Sequence, residues 1–338
     1  MSKWYTQPAV EQTPILSSRV RLARNLKQYP FSVKLDEHTT NEMIREVVTA
    51  LPSQFRYEGL QTKNKLELRL MLEKHLISLE HCNSKKTRGV LLQEEDDLNI
   101  MVNEEDHVRI QSISSGNAMD AAWDKANAID DILEEQLDYA FDNSFGYLTS
   151  CPTNVGTGIR ASFMVHLPLL EKTEQLKNIV TELGKFGMTV RGLYGEGSES
   201  LGSIYQISNQ LTLGKSEEEI IIGLKNFTNP IVEKEQYLWD KASAMESIEL
   251  ADLVYRSYGV LNSCRKISLK EAMVLLSNIR LGYCSGMLKE ARPSLTIYNI
   301  MMEIQPGAVL ARINPDFSRE VLDEEKDITR AEIIRQFF

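Results

Sequence analysis

Residues 151–160 read CPTNVGTGIR, and residues 161–167, ASFMVHL, follow directly. The two glycines, the proline and the asparagine indicate an ordered but irregular loop, and the alternating apolar residues after it indicate a strand. The thiol of Cys151 and the guanidinium of Arg160 are therefore expected beside one rigid element. Arginine there suits a polyanion such as a nucleotide phosphate, because its planar fork donates two parallel hydrogen bonds and keeps its charge. A turn with a surface arginine is the alternative.

Further arginines occur on other predicted strands. Residues 15–26, ILSSRVRLARNL, alternate as a strand does, which puts Arg19 and Arg21 on one face. Arg109 is the second residue of a predicted strand after the turn NEEDH, and Arg191 ends another one. A solvated strand edge is the alternative for Arg19 and Arg21.

The first part of the chain is predicted to form a sheet with flanking helices. Strands at 89–93, 98–103 and 108–113 would form a meander, and a long amphipathic helix is predicted over 117–140. A helix over about 170–186 and a glycine-rich flap over 192–202 follow, and the glycines suit a lid that closes over a substrate. The flap matches neither a Walker A nor a GxGxxG pattern.

The second part is dominated by helix signals. Ser216 is a predicted cap for EEEIIIGL, and helices are predicted near 231–260, 268–281 and 294–304. We therefore expect a catalytic domain over residues 1–240 and a helical domain over residues 241–338.

Composition narrows the class of protein. The 338 residues are 42% hydrophobic and 25% charged, which is ordinary for a soluble globular protein. The net charge of −10 argues against general nucleic-acid binding. No apolar run reaches the roughly 20 residues that span a bilayer, and no signal core is seen, so we expect a cytoplasmic protein without membrane contact. The four scattered cysteines indicate neither a disulfide framework nor a zinc site.

The candidate chemistry combines arginines 19, 21, 109, 160 and 191 with two turn carboxylates and a thiol. Several arginines without a dedicated metal cluster suit ATP, with Mg²⁺ held mainly by the phosphates. Glu105 and Glu196 could orient a cationic acceptor and remove its proton, and a guanidinium is such an acceptor. If the backbone of the NEEDH turn is extended, Glu104 and Glu105 should point to opposite sides. A solvated acidic turn is the alternative for Glu105, and a mobile hairpin with an incidental carboxylate is the alternative for Glu196.

Five segments in family order resemble the signature segments of the phosphagen (guanidino) kinases: SSRVRLARNL, VNEEDHVRI, CPTNVGTGIRAS, RGLYGEGS and YQISNQLTLG. The resemblance covers about residues 15–240. It implies an α+β fold, in which an antiparallel sheet is flanked by helices, with an all-α C-terminal domain added here. It also implies that Glu105 is the base, that Glu196 binds the acceptor and that Cys151 is the reactive cysteine near the acceptor.

The nucleotide site that the resemblance implies is larger than the arginine set. It comprises Ser17, Ser18, Arg19, Val20, Arg21, His75, Arg109, Arg160, Ala161, Ser162, Phe163, Met164, Arg191, Gly192, Leu193, Tyr194, Gly195 and Glu196.

The departures from small-molecule enzymes indicate a subfamily. The helical N-terminal domain that helps to close over small acceptors is missing, since the first motif begins at Ser17, and a C-terminal helical domain is added. This combination is similar to the bacterial protein-arginine kinases, which phosphorylate arginine side chains on proteins and mark them for the Clp protease system. The resemblance implies arginine-bearing protein substrates, an activator protein, a Clp ATPase or protease as partner, and a homodimer or higher oligomer.

The same resemblance implies a regulatory site for phosphoarginine in the last helix. The family motif RDxxRA falls on Lys326, Asp327, Arg330 and Ala331, so lysine replaces the first arginine and loses its bidentate fork. An ordinary surface pattern of charges is the alternative. For the whole chain, a small-molecule guanidino kinase and a phosphoarginine-binding adaptor are the two alternatives.

Overall fold

The computed structural model describes residues 13–93, 97–192, 200–244, 247–316 and 318–338. Within these residues the strands are β1 (Ile15–Arg24), β2 (Arg56–Gly59), β3 (Gly89–Leu92), β4 (Leu98–Val102), β5 (Val108–Ser115), β6 (Phe141–Asp142), β7 (Gly146–Tyr147), β8 (Ile159–His166), β9 (Met188–Gly192) and β10 (Ile204–Asn209). The helices are α1 (Glu37–Ala50), α2 (Lys65–Glu73), α3 (Leu79–Asn83), α4 (Met119–Glu134), α5 (Pro168–Lys172), α6 (Gln175–Lys185), α7 (Glu217–Ala244), α8 (Ile248–Ser263), α9 (Leu269–Cys284), α10 (Ile297–Glu303), α11 (Pro306–Ile313) and α12 (Asp323–Arg335).

Eight strands form one sheet in the order β2-β3-β4-β5-β1-β8-β10-β9, and β6 pairs with β7 in a separate hairpin. The pairs β2–β3, β3–β4, β4–β5 and β1–β5 are antiparallel. The predicted meander is present as β3, β4 and β5, and helices alone follow β10. The predicted fold class, an antiparallel sheet flanked by helices with a helical C-terminal part, is confirmed.

The predicted alternation of β1 is seen around its two arginines. Arg19 and Arg21 are half-buried, whereas Val20 and Leu22 between and beside them are fully buried. The strand continues to Arg24, and residues 17–24 all pair with β5. β1 therefore carries a polar face and a core face, as a period of two residues requires.

Three predicted helices differ in their bounds. The helix expected over 117–140 ends at Glu134, and the residues that follow it pair with the segment after β1: the Lys27 amide donates to the Asp138 carbonyl and the Ala140 amide to the Asn25 carbonyl. The helix expected over 170–186 is α5 and α6, which Glu174 separates with a left-handed φ of 58°. The range 231–260 falls on α7 and α8, and Ser216 caps α7 through the Glu219 amide, as predicted.

Two compact units can be distinguished by their internal contacts. The first consists mainly of Ser17–Phe163 and Ser208–Lys225, and the second mainly of Met164–Ile207 and Asn226–Phe338. The boundary predicted at residue 240 stays a prediction.

A buried carboxylate shapes the start of α5 in the second unit. Glu235 on α7 accepts hydrogen bonds from the amides of Leu169 and Leu170, both 2.9 Å long, and from the Trp239 indole at 2.7 Å. These amides begin a helix and have no partner within it, so the carboxylate satisfies them. Burial raises the pKa of Glu235 to about 6.

In the described part of the chain, no helix combines the length and apolar character that a bilayer crossing needs.

Candidate active site

Arginines from three neighbouring strands of the first unit gather on one face of the sheet. Arg19 and Arg21 lie on β1, Arg109 on β5 and Arg160 on β8, and β1 is the middle one of these strands. In the β1–β5 register Arg21 lies opposite Gln111, and Ala23 lies opposite Arg109, so these side chains share a face. The face predicted for Arg19 and Arg21 is thus extended by β5.

Electrostatics show how tightly this face concentrates positive charge. The pKa of Arg21 is held well below its usual range, first by burial and then by the charges of Arg19, Arg109 and Arg160. The Nε of Arg21 is buried and makes no hydrogen bond within the described residues. Cations so close together repel each other unless an anion lies among them, so the face is suited to a polyphosphate.

His75 is held over the same face by its main chain. The side-chain amide of Gln111 donates from Nε2 to the His75 carbonyl at 2.7 Å, and His75 follows α2 in a left-handed conformation with a φ of 60°. Burial, with the charge of Arg19 as a second cause, lowers the pKa of His75 to about 3. The imidazole is therefore neutral near pH 7 and adds no charge to the cluster. The sequence predicted His75 but gave no sign of Gln111.

The NEEDH turn brings both of its glutamates to one arginine. Glu104 accepts from Arg109 Nη1 at 2.8 Å, and Glu105 accepts from Arg109 Nη2 at 3.2 Å. The expectation that the two carboxylates point to opposite sides is wrong, because the backbone is not extended: Asn103 has a φ of 58° and residues 103–107 form bends. A guanidinium thus already spans this pair of carboxylates.

The two glutamates differ in acidity. Burial would raise the pKa of Glu104, but Arg109 and a 2.5 Å hydrogen bond from the Ser78 hydroxyl lower it below its usual range. Burial raises the pKa of Glu105, and Arg109 opposes this rise only in part, while Asp106, Glu80 and Glu104 add to it. A carboxylate with a raised pKa is the better proton acceptor of the two.

Glu80 on α3 completes a group of three carboxylates. Its side-chain oxygen lies within 4.8 Å of those of Glu104 and Glu105. Three oxygens could serve a hard cation, but Arg109 already donates to two of them. The group therefore fits a guanidinium better than a resident metal ion. No motif in the sequence drew attention to Glu80.

Hydrogen bonds join the Cys151 loop to the NEEDH turn. The carboxylate of Asp106 accepts from the Ser150 amide at 2.6 Å and from the Asn25 side chain at 2.7 Å. Asp106 follows Glu105, and Ser150 precedes Cys151, so this contact places the carboxylate loop beside the thiol loop. The Cys151 Sγ lies 3.0 Å from the Thr153 hydroxyl and is half-buried. Sequence reasoning considered the two glutamates of the turn and missed Asp106.

A buried ion pair fixes the far end of the same loop. Arg24 pairs with Asp130 at 2.5 Å, donates to the Thr157 carbonyl at 2.9 Å and lies 3.6 Å from the centre of the Tyr147 ring. Burial would lower the pKa of Arg24, but Asp130 raises it above its usual range. Arg24 is therefore a structural cation, unlike Arg19 and Arg21 on the same strand.

Gly156 shows why this loop requires glycine. Its φ is +115°, and a Cβ at this position would lie 2.6 Å from the Thr212 carbonyl oxygen. On its other side Gly156 exchanges backbone hydrogen bonds with Tyr147, at 2.7 and 3.3 Å. The loop is thus held between the β6–β7 hairpin and the segment before α7, which agrees with the ordered, irregular loop that the sequence predicted.

Several other predicted nucleotide-site residues have side chains in the core. The Ser18 hydroxyl bonds to the Gly116 carbonyl and the Ala118 amide near the start of α4. Buried side chains are also found at Ser17, Val20, Ala161, Ser162, Phe163 and Met164. Their place in a nucleotide site stays a prediction.

Two of the nucleotide-site residues predicted at or next to the flap are described, and both lie on β9 in the second unit. Arg191 is exposed and Gly192 ends the strand. The predictions for Leu193, Tyr194, Gly195 and Glu196 lie outside the described residues.

The predicted phosphoarginine residues lie on α12. Arg330 is 3% exposed and donates to Asp327 at 2.5 Å and to the carbonyls of Ile267 and Ile304. Lys326 pairs with Asp323 at 2.9 Å, and Ala331 is buried. Arg330 thus holds α12 to the loop before α9 and to the end of α10, a structural task that the sequence did not reveal.

Comparisons with known protein families match two consecutive parts of the chain. Residues 37–238 match ATP:guanido phosphotransferase, C-terminal catalytic domain, and residues 247–338 match the protein-arginine kinase McsB C-terminal domain.

Two relatives of similar length are both named protein-arginine kinase. The protein-arginine kinase of Halothermothrix orenii is 40% identical over 99% of this chain and 96% of its own length. The protein-arginine kinase of Bacillus pumilus is 42% identical over 99% of this chain and 93% of its own.

Solved structures with a similar fold are guanidino kinases. Lombricine kinase aligns with a TM-score of 0.59 and 26% identity over 70% of this chain and 69% of its own. The duplicated taurocyamine kinase of Schistosoma mansoni aligns with a TM-score of 0.60 and 24% identity over 76% of this chain and 38% of its own, which supports the fold alone.

The same family is indicated by both family matches and by the full-length relatives. The arginine face beside a pair of glutamates is consistent with it. The chain belongs to the ATP:guanido phosphotransferase family and, within it, to the protein-arginine kinases.

Proposed function

We propose that this protein transfers the γ-phosphoryl group of ATP to the guanidinium of arginine side chains in proteins. The observation that carries the proposal is that Glu105, a carboxylate with a raised pKa, accepts a hydrogen bond from Arg109 of the arginine face and directly precedes Asp106, which bonds to the residue before Cys151. This reaction needs a phosphate site next to a guanidinium site. Arg109 belongs to the arginine face and also contacts the two glutamates, so it would connect the two sites.

The arginine face would bind the phosphates of ATP. Arg19, Arg21 and Arg160 neutralise charge on the phosphoryl oxygens, and bidentate donors also fix the γ-phosphorus in line with the acceptor nitrogen. Positioning and neutralisation are the main requirements of phosphoryl transfer. Mg²⁺ carried by the ATP phosphates would add further neutralisation. The carboxylate group around Glu105 is engaged by Arg109 and is assigned to the acceptor.

The carboxylates would bind and activate the acceptor. Glu105 takes a proton from the guanidinium, the freed nitrogen pair forms the N–P bond, and the bond from the γ-phosphorus to the bridging oxygen breaks, releasing ADP. Glu104, which is buried and has a lowered pKa, stays ionised and holds Arg109 in place. The Cys151 thiol would lie beside the guanidinium and orient it without a covalent intermediate.

The direct test offers ATP and an unfolded, arginine-rich protein to the purified enzyme. We expect acid-labile phosphoarginine, detected by mass spectrometry of peptides kept above acidic pH. The same protein with its arginines replaced by lysine is the control and should remain unmodified. Phosphorylation of free arginine alone would identify a small-molecule guanidino kinase. Absence of ATP turnover would favour the alternative that the protein is a phosphoarginine-binding adaptor.

Replacing Glu80 by glutamine tests the carboxylate group through pH. The charge of Glu80 helps to raise the pKa of Glu105. Its removal should therefore lower that pKa and keep Glu105 ionised to lower pH. We expect the acidic limb of the kcat/KM profile to move to lower pH, and the displacement to shrink in high salt because Glu80 is exposed. An unchanged profile at low salt would mean that the charge of Glu80 has no influence on the pKa of the base Glu105. Glu42→Gln, a change of a partly exposed glutamate on α1, is the control.

The wider cellular role is part of the same proposal. Phosphorylated proteins would be delivered to a Clp ATPase and protease in the cytoplasm under stress, with an activator protein and self-association of the kinase as further levels of control. A degradation assay with purified Clp components checks this role: a substrate that is degraded equally fast with and without prior phosphorylation would contradict it.

For the C-terminal helix we propose phosphoarginine binding by Lys326, Asp327 and Arg330, as the family motif predicts. Arg330→Ala would also remove core hydrogen bonds, so Lys326→Ala is the cleaner test. We expect it to weaken binding of free phosphoarginine about tenfold in calorimetric titration, the loss expected for one charged hydrogen bond. Lys177→Ala, an exposed change on α6, is the control. Equal binding by all variants would place the phosphoarginine elsewhere.

A further inference from the structure

The loop that carries Cys151 is flanked on both sides by exposed apolar side chains. Phe141 and Phe145 lie on the β6–β7 hairpin with exposures of 54% and 56%, and Leu211 and Leu213 lie before α7 with 56% and 55%. We call these four side chains the apolar rim. Single exposed apolar residues need no explanation, but a group around one functional loop is a sign of a contact surface.

Backbone geometry fixes both halves of the rim to the Cys151 loop. The β7 residue Tyr147 exchanges two hydrogen bonds with Gly156, and its ring lies 5.2 Å from that of Phe141. On the other side the Thr212 hydroxyl donates to the carbonyls of Thr153 and Val155 at 3.0 and 2.7 Å.

Thr212 separates the two leucines of the rim. Thr212 is buried, with 3% of the residue exposed, and Thr157 in the loop is buried as well, at 7%. The neighbours on either side of the buried Thr212, Leu211 and Leu213, are both exposed to solvent. Hydrogen bonds to the loop therefore fix the position of the two segments that carry the rim.

We propose that the apolar rim binds the polypeptide on either side of the acceptor arginine, and that it favours unfolded segments with apolar residues near that arginine. This inference rests on the proposed function. A protein arginine reaches Glu105 and Cys151 with its side chain alone, so its own main chain must stay at the surface of the Cys151 loop. A free amino acid has no such flanks and would leave the rim uncovered. Unfolded segments expose the apolar side chains that a folded substrate keeps inside.

The test compares two peptides that each contain one arginine, one with leucine and phenylalanine beside it and one with serine and glycine. We expect wild type to phosphorylate the apolar peptide with a kcat/KM about tenfold higher, roughly the effect of one well-packed interface side chain. In Leu211→Ser/Leu213→Ser this preference should be lost, while the rate on the polar peptide stays at the wild-type value. Phe145→Ser should lose part of the preference independently, from the other side of the loop.

The control is Val33→Ser, which changes a side chain of the same unit that is 75% exposed and should keep the preference. Equal rates of wild type on both peptides, or a preference that survives in both rim variants, would overturn the inference. A rim variant that changes the oligomeric state in sedimentation would overturn it too, because the rim would then be a surface for a second copy. If wild type phosphorylates neither peptide nor any protein, the proposed function itself fails.

Discussion

Glu105→Gln is expected to lower kcat for arginine phosphorylation by about 10²- to 10⁴-fold, the usual contribution of a positioned base. Glutamine keeps the size and the hydrogen bond from Arg109 but cannot accept the guanidinium proton. The affinity for ATP should stay unchanged, because Glu105 is assigned to the acceptor and the phosphates are assigned to the arginine face. Single-turnover rates with saturating ATP and a separate nucleotide titration measure the two quantities.

Two further variants serve as comparisons for Glu105→Gln. Glu58→Gln changes another ion-paired carboxylate of the first unit, on the edge strand β2, and should be close to wild type. Cys151→Ser should cost less than Glu105→Gln, about tenfold, because a hydroxyl can keep the contact with Thr153 but cannot become a thiolate. If Glu105→Gln turns over protein substrate at the wild-type rate, Glu105 is a solvated turn residue. If Cys151→Ser does so, the thiol has no part in transfer.

Local pattern was sufficient for the parts of the site that a single element determines. The alternation of β1 predicts which face Arg19 and Arg21 share, and the structure confirms that face. The loop over residues 151–160 was predicted from its glycines, and the close contact of Gly156 with Thr212 gives the physical reason. In both cases the information lies within about ten neighbouring residues.

Contacts between distant segments were not predictable in this way. Glu80 reaches Glu105 only because α3 and the NEEDH turn meet in the fold, and Asp106 reaches Ser150 across 44 residues of sequence. The direction of Glu104 was predicted wrongly, since an extended backbone was assumed where Asn103 adopts a positive φ. Arg330 carried a motif signature, yet its hydrogen bonds to Ile267 and Ile304 depend on how three helices pack.

Arg21→Met should weaken ATP binding and stabilise the ligand-free protein at the same time. Each hydrogen bond from a guanidinium to a phosphate contributes about 1.5–3 kcal/mol, so the Kd for ATP is expected to rise about 10- to 150-fold. In the absence of a ligand, however, Arg21 is a half-buried cation with a buried Nε beside Arg19, Arg109 and Arg160, and its lowered pKa reflects the cost of burial and repulsion. An apolar side chain of similar length removes the repulsion, so Tm without ligand should rise.

The sign of the Tm change separates an anion site from a structural cation. Arg24→Met on the same strand should lower Tm strongly, because it leaves Asp130 buried without its partner, a loss of about 3–5 kcal/mol. Arg56→Met, a change of a largely exposed arginine on β2, should change neither Tm nor ATP affinity by much. ATP should raise the Tm of wild type by mass action and that of Arg21→Met far less at the same concentration. A lower ligand-free Tm in Arg21→Met would mean that Arg21 stabilises the free fold, and an unchanged ATP affinity would remove it from the phosphate site.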